Sequence, residues 1–271
     1  MIKLVALDLD GTFYAGRTLG VPDSAWAAIE RGKRAGLKFA VCTGRPQGGF
    51  GLEYAQRLEL GGPHVFNDGA SICTAEGRPL LAEPLPNTRA LVEIARSNGL
   101  SFDLNTSTGG RYYEPELMPP GILEHVAMTG IEACSRRLEE IDPAQEPPVR
   151  MWFVVPDYSL WESARPEIAA LADLDLAEYL SPREVITGVI KKGISKATGL
   201  RWLAEHYRIG LGEIAMIGDS DNDVLAIREA GLGVAMGNAI EAVRAVADHI
   251  VGHVREGGFA QAIDAILERN Q

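Results

Sequence analysis

Two short apolar runs, one near each end of the chain, finish in the same way. Val5-Ala6-Leu7 leads into Asp8-Leu9-Asp10-Gly11-Thr12, and Ile214-Ala215-Met216-Ile217-Gly218 leads into Asp219-Ser220-Asp221-Asn222-Asp223. Continuous apolar runs of this length are the signature of strands buried on both faces of a parallel sheet. Ligands of such sheets sit beyond the carboxyl ends of the strands. The two ends of the chain are therefore expected to build one sheet, with acidic residues gathered along one rim.

The flanking sequence agrees. Residues 23–35 read as a helix, with Pro22 at its start and Gly36 at its end. Residues 38–43 form a second apolar run, and Val65-Phe66 begin a third. After about residue 190 the alternation returns, with helices over 195–207 and 223–230, strands over 213–218 and 233–236, and helical segments around 239–246 and 259–267. This predicts an α/β fold with a Rossmann-like parallel sheet covered on both faces.

The middle of the chain is different. Between Glu83 and Thr187 there are eight Arg, no Lys and eighteen Asp or Glu, which accounts for nearly all of the net charge of −11. The stretch opens on Glu83-Pro84-Leu85-Pro86, a linker-like sequence. It has its own candidate strands (101–105, 111–113, 150–155) and helices (88–97, 131–140, 160–171). The expected organisation is a discontinuous core of residues 1–82 and 188–271, with an α/β cap, residues 83–187, inserted into it. One continuous large sheet is the competing arrangement.

An acidic chain is a poor binder of nucleic acid or anionic membrane, because phosphate recognition runs on Lys and Arg. No apolar run approaches the roughly 20 residues that span a bilayer. The N-terminal run lacks a cleavage pattern, and Cys42, Cys73 and Cys134 are scattered. These features predict reduced thiols and a cytoplasmic protein.

Asp8 and Asp10 share a face of their strand. Neighbouring carboxylates repel, and a divalent cation is the ordinary solution. An acidic pair ending a strand in solvent is the alternative. The 219–223 cluster is a plausible second half of a metal site, or the acidic first turn of the next helix. Thr43-Gly44-Arg45, after the second apolar run, offers a hydroxyl and backbone N–H groups to a phosphate oxygen, or simply a turn. Of only six Lys, three fall in Lys191-Lys192-Gly193-Ile194-Ser195-Lys196. In a chain that prefers Arg, this cluster points either to a required point charge or to a solvated helix start. Together the set matches metal-assisted phosphoryl transfer, with an Asp nucleophile, a second Asp moving a proton, and a cation and a Lys neutralising the phosphoryl oxygens.

At this point the sequence resembles the haloacid dehalogenase superfamily of phosphatases. Asp8-Leu9-Asp10-Gly11-Thr12 is similar to its first motif, Thr43-Gly44-Arg45 to the second, Lys196 to the third and Gly218-Asp219-Ser220-Asp221-Asn222-Asp223 to the fourth. Val234-Ala235-Met236-Gly237-Asn238-Ala239 and Ala247-Asp248 resemble the Cof-like, type IIB branch, whose α/β cap lies between motifs two and three. Asn67-Asp68-Gly69-Ala70 fits that branch's NGA turn, with Asp68 as an extra residue.

The resemblance implies that Asp8 is the nucleophile, that Asp10 protonates the leaving alcohol and then activates water, and that Thr43 and Lys196 act on the phosphoryl group. It implies a phosphate site of Asp8, Gly11, Thr12, Thr43, Gly44 and Lys196. It also implies Mg²⁺ on Asp8, the Asp10 carbonyl and Asp219, with Asn222 and Asp223 completing the shell. Lys192 is the alternative third-motif lysine. Rival readings are a phosphomutase or other phosphotransferase on the same core, a receiver-type signalling domain, and a catalytically dead binding protein. The expected partner is a small phosphorylated metabolite, with sugar phosphates first, then phosphorylated three-carbon acids and phosphorylated cofactors. Arg45 at the mouth, with Asn105, Thr106, Arg111, Tyr112, Tyr113 and Arg150 in the cap, and His125 and Trp152 behind them, are the candidate substrate residues. An ordinary edge strand is the competing reading of 111–113. The sequence carries no marker of oligomeric state.

Overall fold

The computed structural model describes residues 1–180 and 184–271; residues 181–183, within the expected cap segment, lie outside the described residues. The chain begins with β1 (Leu4–Leu7), α1 (Asp23–Arg34), β2 (Lys38–Val41), α2 (Gly49–Leu58), β3 (Pro63–Phe66), β4 (Ser71–Thr74) and β5 (Pro79–Ala82). It continues through α3 (Thr88–Asn98), β6 (Phe102–Thr106), β7 (Arg111–Tyr113), α4 (Ile122–Thr129), β8 (Cys134–Ser135), β9 (Pro148–Val155), α5 (Tyr158–Ala169), β10 (Leu174–Leu180) and β11 (Val185–Lys191). It ends with α6 (Lys196–Tyr207), β12 (Ile214–Gly218), α7 (Val224–Glu229), β13 (Leu232–Ala235), α8 (Glu241–Arg244), β14 (His249–Ile250) and α9 (Gly258–Arg269).

The parallel sheet has the order β14-β13-β12-β1-β2. Leu7 sits opposite both Ile217 and Val41, so the residues that follow the three strands emerge side by side. The period of two divides each strand between the faces. Val5, Leu7, Phe39, Val41 and Ile217 pack with Phe259 and Ile263 of α9, while Leu4, Ala6, Ala40 and Met216 pack with Leu200 and Leu203 of α6. Full burial of each such side chain is worth about 2 kcal/mol, so both helical layers are held firmly to the sheet.

A second sheet, ordered β10-β11-β9-β6-β7-β8, is antiparallel apart from the β7–β8 pair. Phe102, Leu104, Met151, Phe153 and Val189 line one face, packed with Leu91 and Val92 of α3 and Trp161 and Ile168 of α5. The other face carries the alternate residues, among them Asp103, Arg150, Trp152, Val154 and Ile186, and these line a cavity shared with the rim of the parallel sheet. A small antiparallel sheet, β3-β4-β5, lies beside β2 through a bridge between Cys42 and Val65.

Three expectations are corrected. Residues 131–140 form no α-helix: they hold the short strand β8 and a single 3-10 turn, Leu138–Glu140. Gly130, in the left-handed region, ends α4, and the charges that made the stretch look helical are spent on ion pairs to other segments, such as Arg136–Glu146 (3.2 Å) and Arg137–Glu116 (2.6 Å). Val65-Phe66 end β3 rather than begin it. Residue 188 lies inside β11, which is paired with β9 as far as Ile190, so the chain leaves the second sheet only after Lys191.

Candidate active site

Asp8 follows β1, Thr43 follows β2 by two residues, and Asp219 follows β12, as the register of these strands dictates. Lys196, the first residue of α6, reaches under them. Its Nζ donates to Asp8 Oδ1 and to Asp223 Oδ1, each at 2.7 Å, and its side chain is wholly buried. Lys192, the alternative, is exposed. Burial alone would lower the Lys196 pKa; Asp223 and Asp8 outweigh it and hold the ammonium charged well above the usual range. Burial pushes Asp8 well above the ordinary carboxyl value, Asp223 and Asp10 add to this, and Lys196 opposes it. Asp219 is raised to about 6, chiefly by burial and then by Asp223.

Ligand oxygens of Asp8, Asp219 and Asp223 lie within 4.8 Å of one another. Three buried carboxylates share one ammonium, which leaves an excess of negative charge. A divalent cation among these hard oxygen donors is the group that balances it. Neighbours hold the donors in place. Thr12 Oγ1 donates to Asp219 Oδ1 (3.0 Å), Asn238 Nδ2 donates to Asp219 Oδ2 (3.1 Å), and the N–H groups of Asp219 and Ser220 both donate to Asp223 Oδ2 (3.0 Å). The Thr12 hydroxyl, expected at the phosphate, is thus committed to Asp219. Gly11 has φ +81°, and a Cβ there would lie 2.3 Å from Asp219 Oδ2, so only glycine lets the loop pass this carboxylate.

Asp10 is the half-exposed acid of the group and faces the cavity. Arg45 grips it with Nε (2.7 Å) and a terminal nitrogen (2.6 Å), rests on the Tyr14 ring and donates to the Met128 carbonyl of α4 (3.3 Å). Arg45 lines the cavity as a nearly buried residue beneath Asp10 and ties it to the second sheet's layer. Thr43 Oγ1 accepts from the Arg45 N–H (3.2 Å). Gly44 lines the cavity beside it.

Asp68, the extra residue in the Asn67-Asp68-Gly69-Ala70 turn, lines the cavity. Asn67 and Asp68 both have positive φ (49° and 53°), a conformation costing non-glycine residues about 1 kcal/mol or more each. Backbone bonds from the Asn67 N–H to the Arg45 carbonyl (2.9 Å) and from the Asp68 N–H to the Thr43 carbonyl (3.0 Å) hold it there. The result aims the Asp68 carboxylate at Arg150 of β9 and at Asn222 Nδ2 (2.8 Å). Burial would raise its pKa, but Arg150 and Lys196 keep it below the ordinary value. The signal in the sequence was an acid inside a turn next to a glycine, in a segment with no other charge.

The cavity, about 670 Å³, lies between the rim and the second sheet. Of the expected substrate residues, Arg45 and Arg150 line it, with Trp152 and His125; Asn105, Arg111 and Tyr113 do not, nor do Thr106 and Tyr112. Asn105 is buried and donates to Asp103 (3.0 Å). Tyr113 sits on the short strand β7, whose neighbour β8 forms the sheet edge. Arg111 is buried beneath Asp103 and His125 and spends its donors there.

Comparison with known proteins follows this geometry. A family profile described as haloacid dehalogenase-like hydrolase matches residues 5–263. The chain is 28% identical to 5-amino-6-(5-phospho-D-ribitylamino)uracil phosphatase YitU of Bacillus subtilis, with 95% of each chain covered. It is 26% identical to pyridoxal phosphate phosphatase YbhA of Escherichia coli, covering 96% of this chain and 97% of that one. A haloacid dehalogenase-like hydrolase from Bacteroides thetaiotaomicron has a similar structure, with TM-score 0.84, 28% identity, and coverage of 98% of this chain and 100% of the other. Among the described residues, no helix is long and apolar enough to cross a membrane.

Proposed function

The chain belongs to the haloacid dehalogenase-like hydrolases and is a phosphoric monoester hydrolase of small phosphorylated metabolites, and we propose that it works through a phosphoaspartyl intermediate on Asp8 with Mg²⁺ as its cation. The observation that carries this reading is Lys196, wholly buried between Asp8 and Asp223, with Asp219 beside them.

Lys196 occupies Asp8 Oδ1, which leaves Oδ2 to attack phosphorus. As that bond forms, the bond from phosphorus to the alcohol oxygen breaks, and Asp10 delivers a proton to the departing oxygen. Asp10 then takes a proton from water, the water oxygen attacks phosphorus, and the bond to Asp8 breaks to release phosphate. Thr43, with the N–H groups around Gly44, binds the phosphoryl oxygens, and Lys196 offsets their charge. Arg45 orients Asp10. Asp8, the Asp10 carbonyl and Asp219, with Asn222 and Asp223 around them, would hold Mg²⁺, which would supply positive charge beside the nucleophile and the phosphoryl oxygens. The segment from Glu83 through β11 serves as a cap that takes the leaving group and excludes water.

The test is phosphate release from a panel of small monoesters, with Mg²⁺ or with EDTA, for wild type and Asp8→Asn. Release should require Mg²⁺ and vanish in a folded Asp8→Asn protein. An active Asp8→Asn enzyme removes the nucleophile assignment, and turnover undiminished in EDTA removes the metal.

A further inference from the structure

The cavity holds three buried arginines or their partners, and each guanidinium is already matched by a carboxylate: Arg45 by Asp10, Arg150 by Asp68 and Arg111 by Asp103. Among the described lining residues the remaining arginine, Arg17, is exposed, whereas Glu124 adds negative charge. Away from the phosphate end, a second anionic group would meet no uncompensated buried cation and several carboxylates. Desolvating it there is unfavourable.

What the cap offers instead is apolar surface, two hydrogen-bonding groups in His125 and Asp103, and the buried Nε of Arg150, an N–H without a partner among the described residues. Trp152, Val154, Ile122 and Met128 line the same space. The volume, about 670 Å³, suits a ring-bearing ligand and greatly exceeds what a three-carbon phosphate fills.

The Arg111 fork defines how the two polar groups are presented. Its Nε and one terminal nitrogen donate to Asp103 Oδ2; that same nitrogen donates to His125 Nδ1 (2.9 Å); the other donates to Thr129 Oγ1 and the Ile131 carbonyl (3.2 Å each). All five donors of the guanidinium are thereby used. Because Arg111 can only donate, His125 Nδ1 must accept, and the ring proton of neutral His125 resides on Nε2. Asp103 takes Asn105 on Oδ1 and Arg111 on Oδ2, and a carboxylate has lone pairs left for a further donor.

We propose that the cap side of this cavity selects phosphate monoesters of an uncharged, ring-bearing alcohol, with His125 Nε2–H donating to it and Asp103 accepting from it, and with Arg111 as the positioning residue that sets both. The inference rests on the phosphatase reading above and narrows its substrate. It removes phosphorylated three-carbon acids and bisphosphates from the candidates.

The test compares kcat/KM for pyridoxal phosphate, flavin mononucleotide, glycerol phosphate, phosphoglycerate and fructose bisphosphate, with acetyl phosphate as the reference that has almost no leaving group to bind. At least one ring-bearing substrate should exceed glycerol phosphate by about tenfold or more, and the two doubly anionic compounds should fall below it. His125→Ala should shrink the preference for the ring-bearing substrate over acetyl phosphate about tenfold, mainly through KM, and His125→Gln, which keeps an N–H donor, should restore part of it. Arg111→Met should resemble His125→Ala although Arg111 does not face the cavity; if it fails to fold, the His125 pair still decides. A preference for fructose bisphosphate or phosphoglycerate overturns the proposal, as does a His125→Ala protein whose preference ratio is unmoved. A wild type that releases nothing even from acetyl phosphate overturns the phosphatase reading itself, a distinguishable failure.

Discussion

His64 gives a quantitative prediction about the scaffold under the site. The imidazole is buried at the start of β3, its Nδ1 accepts the Val41 N–H (3.0 Å), and its Nε2–H donates to the Glu59 carbonyl (3.1 Å). Val41 is the last residue of β2, two before Thr43, so this ring holds the strand that leads to Thr43. Burial lowers the His64 pKa from 6.5 to about 4, against the Glu59 contact, which would raise it. Protonation would put a second N–H against the Val41 N–H and a charge into the core. The unfolded chain binds this proton at higher pH than the folded one. The stability associated with neutral His64 is therefore complete above about pH 6.5 and is lost as pH falls towards 4.

A displacement from 6.5 to about 4 corresponds to about 3 kcal/mol in full, most of which is lost by roughly pH 4.5. Urea unfolding of wild type and His64→Gln near pH 7.5 and pH 4.5 isolates it, because Asp219 and the other acids titrate in both proteins. Wild type should lose about 2 to 3 kcal/mol more than the variant across that interval. Parallel losses in the two proteins, within about 0.5 kcal/mol, would refute the reasoning and mean that the folded protein accommodates the imidazolium.

Two further outcomes follow from the site. Gly11→Ala combines a positive φ with a Cβ driven into Asp219 and should cost more than about 1 kcal/mol in thermal or urea unfolding, while raising the Mg²⁺ concentration that half-saturates activity. Asp68→Asn leaves Arg150 buried without its carboxylate and should cost about 3 kcal/mol in urea unfolding, with much of that recovered in the Asp68→Asn, Arg150→Met double variant; purely additive losses would show that the two residues are not coupled.

The core motifs were legible because their chemistry and their placement coincide. An apolar strand that ends in Asp8 and another that ends before Asp219 announce both the sheet and the carboxylates at its rim. Lys196 stood out because lysine is scarce in this chain. Asp68 did not, because its importance comes from a left-handed backbone and two partners, Arg150 and Asn222, that are remote in sequence. Arg111 was read as a binder because its residue type fits one; only the geometry shows that its fork is saturated by neighbours. The supposed helix over 131–140 failed for a related reason. Charged residues favour a helix by composition, but here they serve ion pairs across the surface, while the helix forms earlier, over Ile122–Thr129, where apolar side chains recur.

The two passages between the sheets lie side by side. Glu83 begins one, just after β5, and Lys191 ends the strand before the other, and their side chains meet at 2.7 Å. An insertion whose entrance and exit coincide disturbs its host very little, because the host needs only to tolerate one short gap. On the reading proposed above, in which the segment between these residues is the cap, a block with another leaving-group pocket could replace it through two adjacent seams, leaving Asp8, Lys196 and Asp219 in register. Variation in what such a protein acts upon can then accumulate in one part of the gene while the machinery that breaks the phosphate bond stays untouched.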